Sequence, residues 1–457
     1  MLPYRRPRMT HSTRSRAPRL SLAARLDSAA RSLLLFLAFP FVLLYFFLRS
    51  LRRGSGLGDL AQRLGNLPAN FQQPAIGALW IHAVSVGETQ AVAPIIPLLR
   101  SRFPGRRIFI STTTETGQAL AKAKLAADGT FYFPLDYAFA CRCALRAIQP
   151  AVVLIAETEF WPRFLREARR AGAAVAIVNG RISDRSFAHY HFWRRSMRPI
   201  LSHVDLFLMQ TEEDARRMIT IGAEPARVCV CGNLKYDVPP PPASPVATWL
   251  ANSLSLASRP VLIAGSVVAG EESAVLEAFA VVRANHPRTL LLLAPRRPER
   301  FDLTARQAAD AGLCVSRRSQ LDLSVPLDVS VDVFLLDTIG ELAGLYQAAT
   351  VAFVGGSLVP AGGHNIVEPA AAGVPALFGP SMENFAEIAR MVLAAGAGLQ
   401  VNNSADLGRA CLDLLRDPAR RSAMGRAASA LMDRNRGAAS RTFERITALL
   451  VELERSP

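Results

Sequence analysis

From residue 79 onward, strand-length apolar runs alternate with helical patterns, and that alternation limits the chain to a narrow group of folds. The runs are Leu79 to Val84, Arg107 to Ser111, Val152 to Ala156, Ala174 to Asn179, Leu206 to Gln210 and Val228 to Cys231. They pause at Asp237-Val238-Pro239-Pro240-Pro241-Pro242, a stiff extended segment. They resume at Val261 to Gly265, Thr289 to Ala294, Val333 to Asp337, Val351 to Gly355 and Pro375 to Phe378. Strands separated by helices imply right-handed βαβ crossovers and a parallel sheet covered on both faces. The break in the middle implies two such sheets, and 457 residues is the right length for two cores. The fold class is therefore α/β, with two Rossmann-like, doubly wound domains facing a cleft. A last helical stretch from about Ala438 to Leu453 is expected to pack back on the first domain.

Before the first run, Leu33 to Leu48 reads LLLFLAFPFVLLYFFL without a charge, with Arg25 and Arg31 ahead of it and Arg49, Arg52 and Arg53 behind. As a helix it would cover roughly 24 Å, somewhat short of a hydrocarbon core near 30 Å. No small-residue cleavage site follows, so an uncleaved N-terminal membrane anchor is expected rather than a signal peptide. The resulting segments are a basic extension at 1–32, an anchor at 33–50 and a first domain at 51–238. A proline linker at 239–246, a second domain at 247–435 and the terminal helix at 436–457 complete the chain.

The formal net charge of +16 suits nucleic acid, anionic lipid or a phosphorylated substrate. Neither base-stacking aromatics interleaved with arginine nor zinc-finger spacing is present, so a nucleic-acid partner is not expected. The six cysteines include close pairs, Cys141 with Cys143 and Cys229 with Cys231, that cannot easily bridge; reduced thiols in a cytosolic compartment are expected.

Ligands of open parallel sheets bind beyond the carboxyl ends of the strands, and that is where the chemistry-bearing residues fall. Glu88 ends Ser85-Val86-Gly87-Glu88 after the first run, as a lone carboxylate at a strand-to-helix junction and a candidate catalytic base. Glu157 follows the third run and could favour positive charge on a sugar ring or simply form an ion pair. Lys235, in Gly232-Asn233-Leu234-Lys235-Tyr236, could stabilise a leaving phosphate or be a surface lysine. In the second half, Gly355-Gly356-Ser357 offers backbone N–H groups to a phosphate, or is a turn that needs positive φ. Pro295-Arg296-Arg297-Pro298-Glu299-Arg300 places guanidinium groups beside the cleft. Asn365 to Glu368, after Gly362-Gly363, would open a helix carrying a carboxylate suited to a ribose.

In order along the chain, IHAVSVGE, STTTETG, ETEFWP, NGRIS, GNLKYD, PRRPERF, DTIGELAGLY, FVGGSLVPAGGHNIVEPAAAGVPALFGP and NFAEI resemble the transferases of 3-deoxy-D-manno-octulosonic acid (Kdo). The resemblance implies a GT-B fold and an inverting glycosyltransferase with no required metal and no cofactor. It implies a CMP-Kdo donor and a lipid A precursor acceptor, lipid IVA, at the cytoplasmic face of the inner membrane, with anionic lipid around the anchor. It implies Glu88 as general base, with Glu157 and Lys235 supporting the transition state. The implied donor contacts are Pro295 and Arg296, then Ile339, Gly340 and Glu341, then Asn365, Ile366, Val367 and Glu368. Two departures stand out: Arg297 where many relatives have His, and Ser266-Val267-Val268 where Ser-Thr and a polar residue are usual. The alternatives are a two-domain nucleotide-sugar epimerase, another membrane-associated GT-B glycosyltransferase and a non-catalytic membrane scaffold.

Overall fold

The computed structural model describes residues 40–41, 58–71, 77–237, 244–257 and 259–455. The basic extension, all but two residues of the expected anchor, and the prolines at 239–242 lie outside them. Among the described residues no helix is long and apolar enough to cross a membrane. The chain divides into two compact units, one of residues 1–237 with 437–457 and the other of residues 238–436.

The first unit holds seven parallel strands: β1 (Ala78–His82), β2 (Ile108–Thr112), β3 (Gly129–Tyr132), β4 (Pro150–Ala156), β5 (Ala174–Gly180), β6 (Leu206–Met209) and β7 (Val228–Val230). Their order is β3-β2-β1-β4-β5-β6-β7, and Trp80 sits beside Phe109 on one neighbour and Val153 on the other. Successive side chains leave a strand on opposite faces. Trp80, Phe109, Val153, Val175 and Phe207 accordingly build one core layer, while Leu79, Ile108, Val152, Ala176 and Leu208 build the other. Because both faces are covered, every residue of β1 and of β5 is buried, which is why these strands read as continuous apolar runs.

The terminal helix, Ala438–Arg455, completes the second layer with Ala439, Ile446 and Leu450 at helical spacing. Its start is fixed by the Asp237 carboxylate, which accepts from the N–H groups of Gly437 (2.7 Å) and Ala439.

The second unit repeats the architecture with β8 (Val261–Val267), β9 (Leu290–Pro295), β10 (Val315–Arg317), β11 (Val333–Leu335), β12 (Val351–Val354), β13 (Ala376–Phe378) and β14 (Gly398–Gln400). All pairings are parallel, in the order β10-β11-β9-β8-β12-β13-β14. The strand order reverses between β1 and β4 in the first unit and between β8 and β12 in the second. At such a switch point the flanking loops diverge and leave a crevice at the carboxyl ends of the strands.

Three strands escaped the sequence reading: β3 (GTFY), β10 (VSR) and β14 (GLQ). All three are sheet edges. A short, half-exposed edge strand needs no apolar run and so leaves no periodic signal.

Candidate active site

The loop after β1 leads into a short helix, Val86–Val92, capped by Ser85 in an extended conformation. Glu88 stands three residues after this N-cap, the spacing of a capping box. Its side chain turns back on the loop: Oε2 accepts from Val84 N at 2.7 Å and Oε1 from Ser85 Oγ at 3.0 Å. Only 8% of Glu88 is exposed. Burial raises its pKa from 4.5 to about 7 against the lowering effect of the Val84 N–H, and the carboxylates of Glu157 and Glu159 add to the rise. A carboxylate so poised can accept a proton near neutral pH.

Glu157 is the first residue beyond β4, with φ of 55°. A non-glycine residue in the left-handed region carries strain of about 1–3 kcal/mol, so its surroundings must hold it there. Its N–H donates to Val178 O at 2.9 Å, and its carboxylate pairs with Lys235 Nζ at 3.2 Å. Lys235 is delivered by the turn Leu234–Tyr236 after β7, and its own N–H donates to Asn233 Oδ1 at 3.0 Å. The turn is tied in addition to β5, where Asn179, also at φ 55°, accepts from Leu234 N through Oδ1 at 2.9 Å.

Glu88, Glu157 and Lys235 are thus assembled around the β1/β4 switch point. Two further residues belong with them, and neither was given a role from sequence. Asn179 positions the lysine turn. Glu159, also raised by burial and by Glu157, adds a third acid. Replacing Asn179 with Ala would orphan the buried Leu234 N–H and place Ala at positive φ; we expect about a tenfold fall in turnover. The check is a kinetic comparison with Asn179→Gly, which removes the backbone strain and leaves only the lost hydrogen bond.

In the second unit the structure decides between the two readings of the glycine-rich turn. The N–H groups of Gly356, Ser357 and Leu358 are not offered to a phosphate, because the fully buried carboxylate of Glu271 takes them. Oε2 accepts from Gly356 N at 2.6 Å, and Oε1 from Ser357 N and Leu358 N at 2.9 Å each. Val268 N, 3.1 Å from Oε2, is a fourth donor. The glycine-rich loop after β12 is therefore fastened to the loop after β8, across the switch point. Gly356 adopts φ 69°, and a Cβ there would lie 2.8 Å from the His364 ring, so this glycine is needed for close approach as well as for its turn.

The arginine run is also partly committed. Arg300 pairs with buried Glu272 at 2.8 Å, which leaves Arg296 and Arg297 exposed at the end of β9. Arg296 faces His364, whose pKa burial and that guanidinium lower to about 4, so the ring is neutral at pH 7. Asn365 Nδ2 donates to Glu368 Oε1 at 3.0 Å and its Oδ1 accepts from Val367 N, which starts the helix Val367–Ala371. Ile366 and Val367 have buried side chains, as does Pro295, so any ligand contact they make runs through the backbone. The Glu341 carboxylate is engaged by Arg318 (3.0 Å) and accepts from the Thr338 hydroxyl. Between them, Ile339 is 66% exposed and Gly340 has φ 95°.

Two doubly wound units, with an acid–lysine constellation at one switch point and a polar, basic loop cluster at the other, define a nucleotide-sugar enzyme of the two-domain glycosyltransferase class. In overall fold the chain is similar to a putative UDP-N-acetylglucosamine 2-epimerase from Listeria monocytogenes (15% identity, TM-score 0.53, 84% of this chain and 99% of that one). At that identity the likeness concerns the fold alone. The sequence profile of the family described as 3-Deoxy-D-manno-octulosonic-acid transferase (kdotransferase) matches residues 58–238. The 3-deoxy-D-manno-octulosonic acid transferase of Bordetella pertussis is 36% identical over 89% of this chain and 95% of its own length. That of Haemophilus influenzae is 33% identical over 90% and 96%. The chain belongs to the Kdo transferase family and is a glycosyltransferase of lipopolysaccharide biosynthesis.

Proposed function

We propose that the chain moves Kdo from CMP-Kdo to the lipid A precursor lipid IVA, with inversion at the anomeric carbon, at the cytoplasmic face of the inner membrane. Glu88 carries the reading: it is a nearly buried carboxylate with a pKa of about 7, beside the Glu157–Lys235 ion pair at the switch point of the first unit. In the reaction the acceptor hydroxyl gives its proton to Glu88 as its oxygen bonds to the anomeric carbon. The bond from that carbon to the phosphate oxygen breaks, and CMP leaves with the electron pair. Glu157 offsets the positive charge that develops on the sugar ring, and Lys235 orients Glu157 and favours the negative charge of the leaving group.

The nucleotide falls to the second unit. Arg296 supplies an exposed guanidinium for the phosphate. The Asn365–Glu368 pair offers a carboxylate to the ribose hydroxyls, and the backbone of Pro295, Ile366 and Val367 lines the base and sugar. Ile339, Gly340 and Glu341 close the other side of the nucleotide. Residues 33–50 serve as the anchor that keeps the enzyme at its lipid substrate. The test is mass spectrometry of lipid IVA after incubation with CMP-Kdo and the detergent-purified full chain. A mass gain of one or more Kdo units is expected, and its size counts the transfers. No gain from folded protein that still binds CMP would overturn the reading.

A further inference from the structure

The helix Asp184–Phe192, between β5 and β6, has no fully buried residue. Its apolar contacts with the core run through the half-buried rings of Phe187 and Tyr190. Its end presents an aromatic pair to solvent: Phe192 is 78% exposed and Trp193 50%, their rings edge to face with centroids 5.2 Å apart. Two exposed aromatics in contact are a poor choice for a surface that meets only water. Exposed Arg194 and Arg195 follow the pair directly and exposed Arg185 lies two turns earlier on the helix, and none of the three forms an ion pair with an acid among the described residues. The one acid of this helix, Asp184, is already paired with Arg217. The same helix borders the acid cluster, because Tyr190 packs edge-on against Phe160, one residue past Glu159, at 5.6 Å.

We propose that the Phe192–Trp193 pair and the surrounding arginines form a second membrane contact, distinct from residues 33–50, that seats the acceptor side of the first unit on an anionic lipid surface. Aromatic rings with a polar edge settle at the headgroup level of a bilayer, and unpaired arginines are drawn to anionic headgroups. The patch lies next to Glu159 and Glu157, so a lipid acceptor would reach the acids without leaving the bilayer surface. The location rests on the proposal of a lipid acceptor, but the test does not.

The test uses the full chain reconstituted in phosphatidylethanolamine–phosphatidylglycerol vesicles whose acyl chains are brominated. Trp193 is the most exposed of the four tryptophans, and the others are buried or half-buried. Brominated lipid should therefore quench a component of tryptophan emission that disappears in Trp193→Phe. The quenching should weaken in Arg194→Glu/Arg195→Glu. Emission quenched equally in wild type and Trp193→Phe would overturn the proposal. So would a dimer, seen by sedimentation in detergent, that Phe192→Ser/Trp193→Ser abolishes, since the patch would then belong to a second copy. Neither readout depends on Kdo transfer: a protein that fails to transfer Kdo yet shows the quenching refutes the substrate reading and leaves this one standing. As a functional arm, Phe192→Ser/Trp193→Ser is expected to slow transfer to vesicle-embedded acceptor about tenfold and leave transfer in detergent micelles unchanged.

Discussion

Glu88→Gln should reduce Kdo transfer by about 10²–10⁴-fold, the range expected when a general base is removed, while the protein stays folded. Gln keeps an oxygen for the Val84 N–H, and its amide can donate to Ser85 Oγ, so the cap at the start of Val86–Val92 survives. The pH dependence identifies the group. Wild-type kcat/KM should rise tenfold per pH unit below about pH 7 and level off above it, because only the ionised carboxylate accepts a proton. The rising limb attributable to Glu88 should vanish in the variant, which lacks the titrating group.

Stability runs the other way. With the folded pKa raised above the unfolded value near 4.5, the folded state holds a proton that the unfolded state has lost between those values. The contribution of Glu88 is fully present below about pH 4.5 and is lost as pH rises through about 7. A shift of this size corresponds to about 3 kcal/mol. Glu88→Gln should therefore unfold at an equal or higher temperature than wild type at pH 8, a gain in stability at the expense of activity. A variant that keeps turnover within threefold of wild type, or an unchanged acid limb, would remove Glu88 from the role of base.

Glu271→Ala should destabilise the second unit by about 3–5 kcal/mol, the scale seen when one partner of a buried charged network is deleted. The four N–H groups of Val268, Gly356, Ser357 and Leu358 would lose a common acceptor, in a place where Glu271 itself has no exposure. Because these bonds tie together the two loops at the β8/β12 switch point, CMP affinity should fall as well. Denaturant unfolding of the full chain together with CMP titration checks both effects. A midpoint shift worth less than about 1 kcal/mol would mean that water can replace the carboxylate. Glu271→Gln should be intermediate, since its amide oxygen can satisfy some of the donors while its NH₂ faces the others.

The central strands were legible in the sequence because a strand buried on both faces must be apolar along most of its length, as β1, β4, β5 and β8 are, with polar residues such as His82, Asn179 and Ser266 only near their carboxyl ends. The edges β3, β10 and β14 were not, since nothing requires an edge to be apolar on both sides. Glu88 was legible for a local reason: it comes after an apolar run and a serine at capping distance. Its perturbed acidity was not, because that depends on how completely the surrounding loops exclude water and on how near Glu157 and Glu159 come. The glycines at 355–356 were legible as a turn, but which group would take their N–H donors was not: the acceptor is Glu271, an acid 85 residues before Gly356 in the chain. Glu157 and Lys235 are 78 residues apart and meet only because β4 and β7 belong to one sheet.

The sequence alone determined the features that neighbours along the chain dictate: two α/β domains, strand-end placement of the acids and bases, and membership of the Kdo transferases. The tertiary structure decided which of those groups meet. Burial set the pKa of Glu88, the positive-φ residues Glu157 and Asn179 fixed the lysine turn, and Glu271 claimed the glycine loop. Desolvation and hydrogen bonding depend on distances through space, which residue order constrains only after the chain has folded.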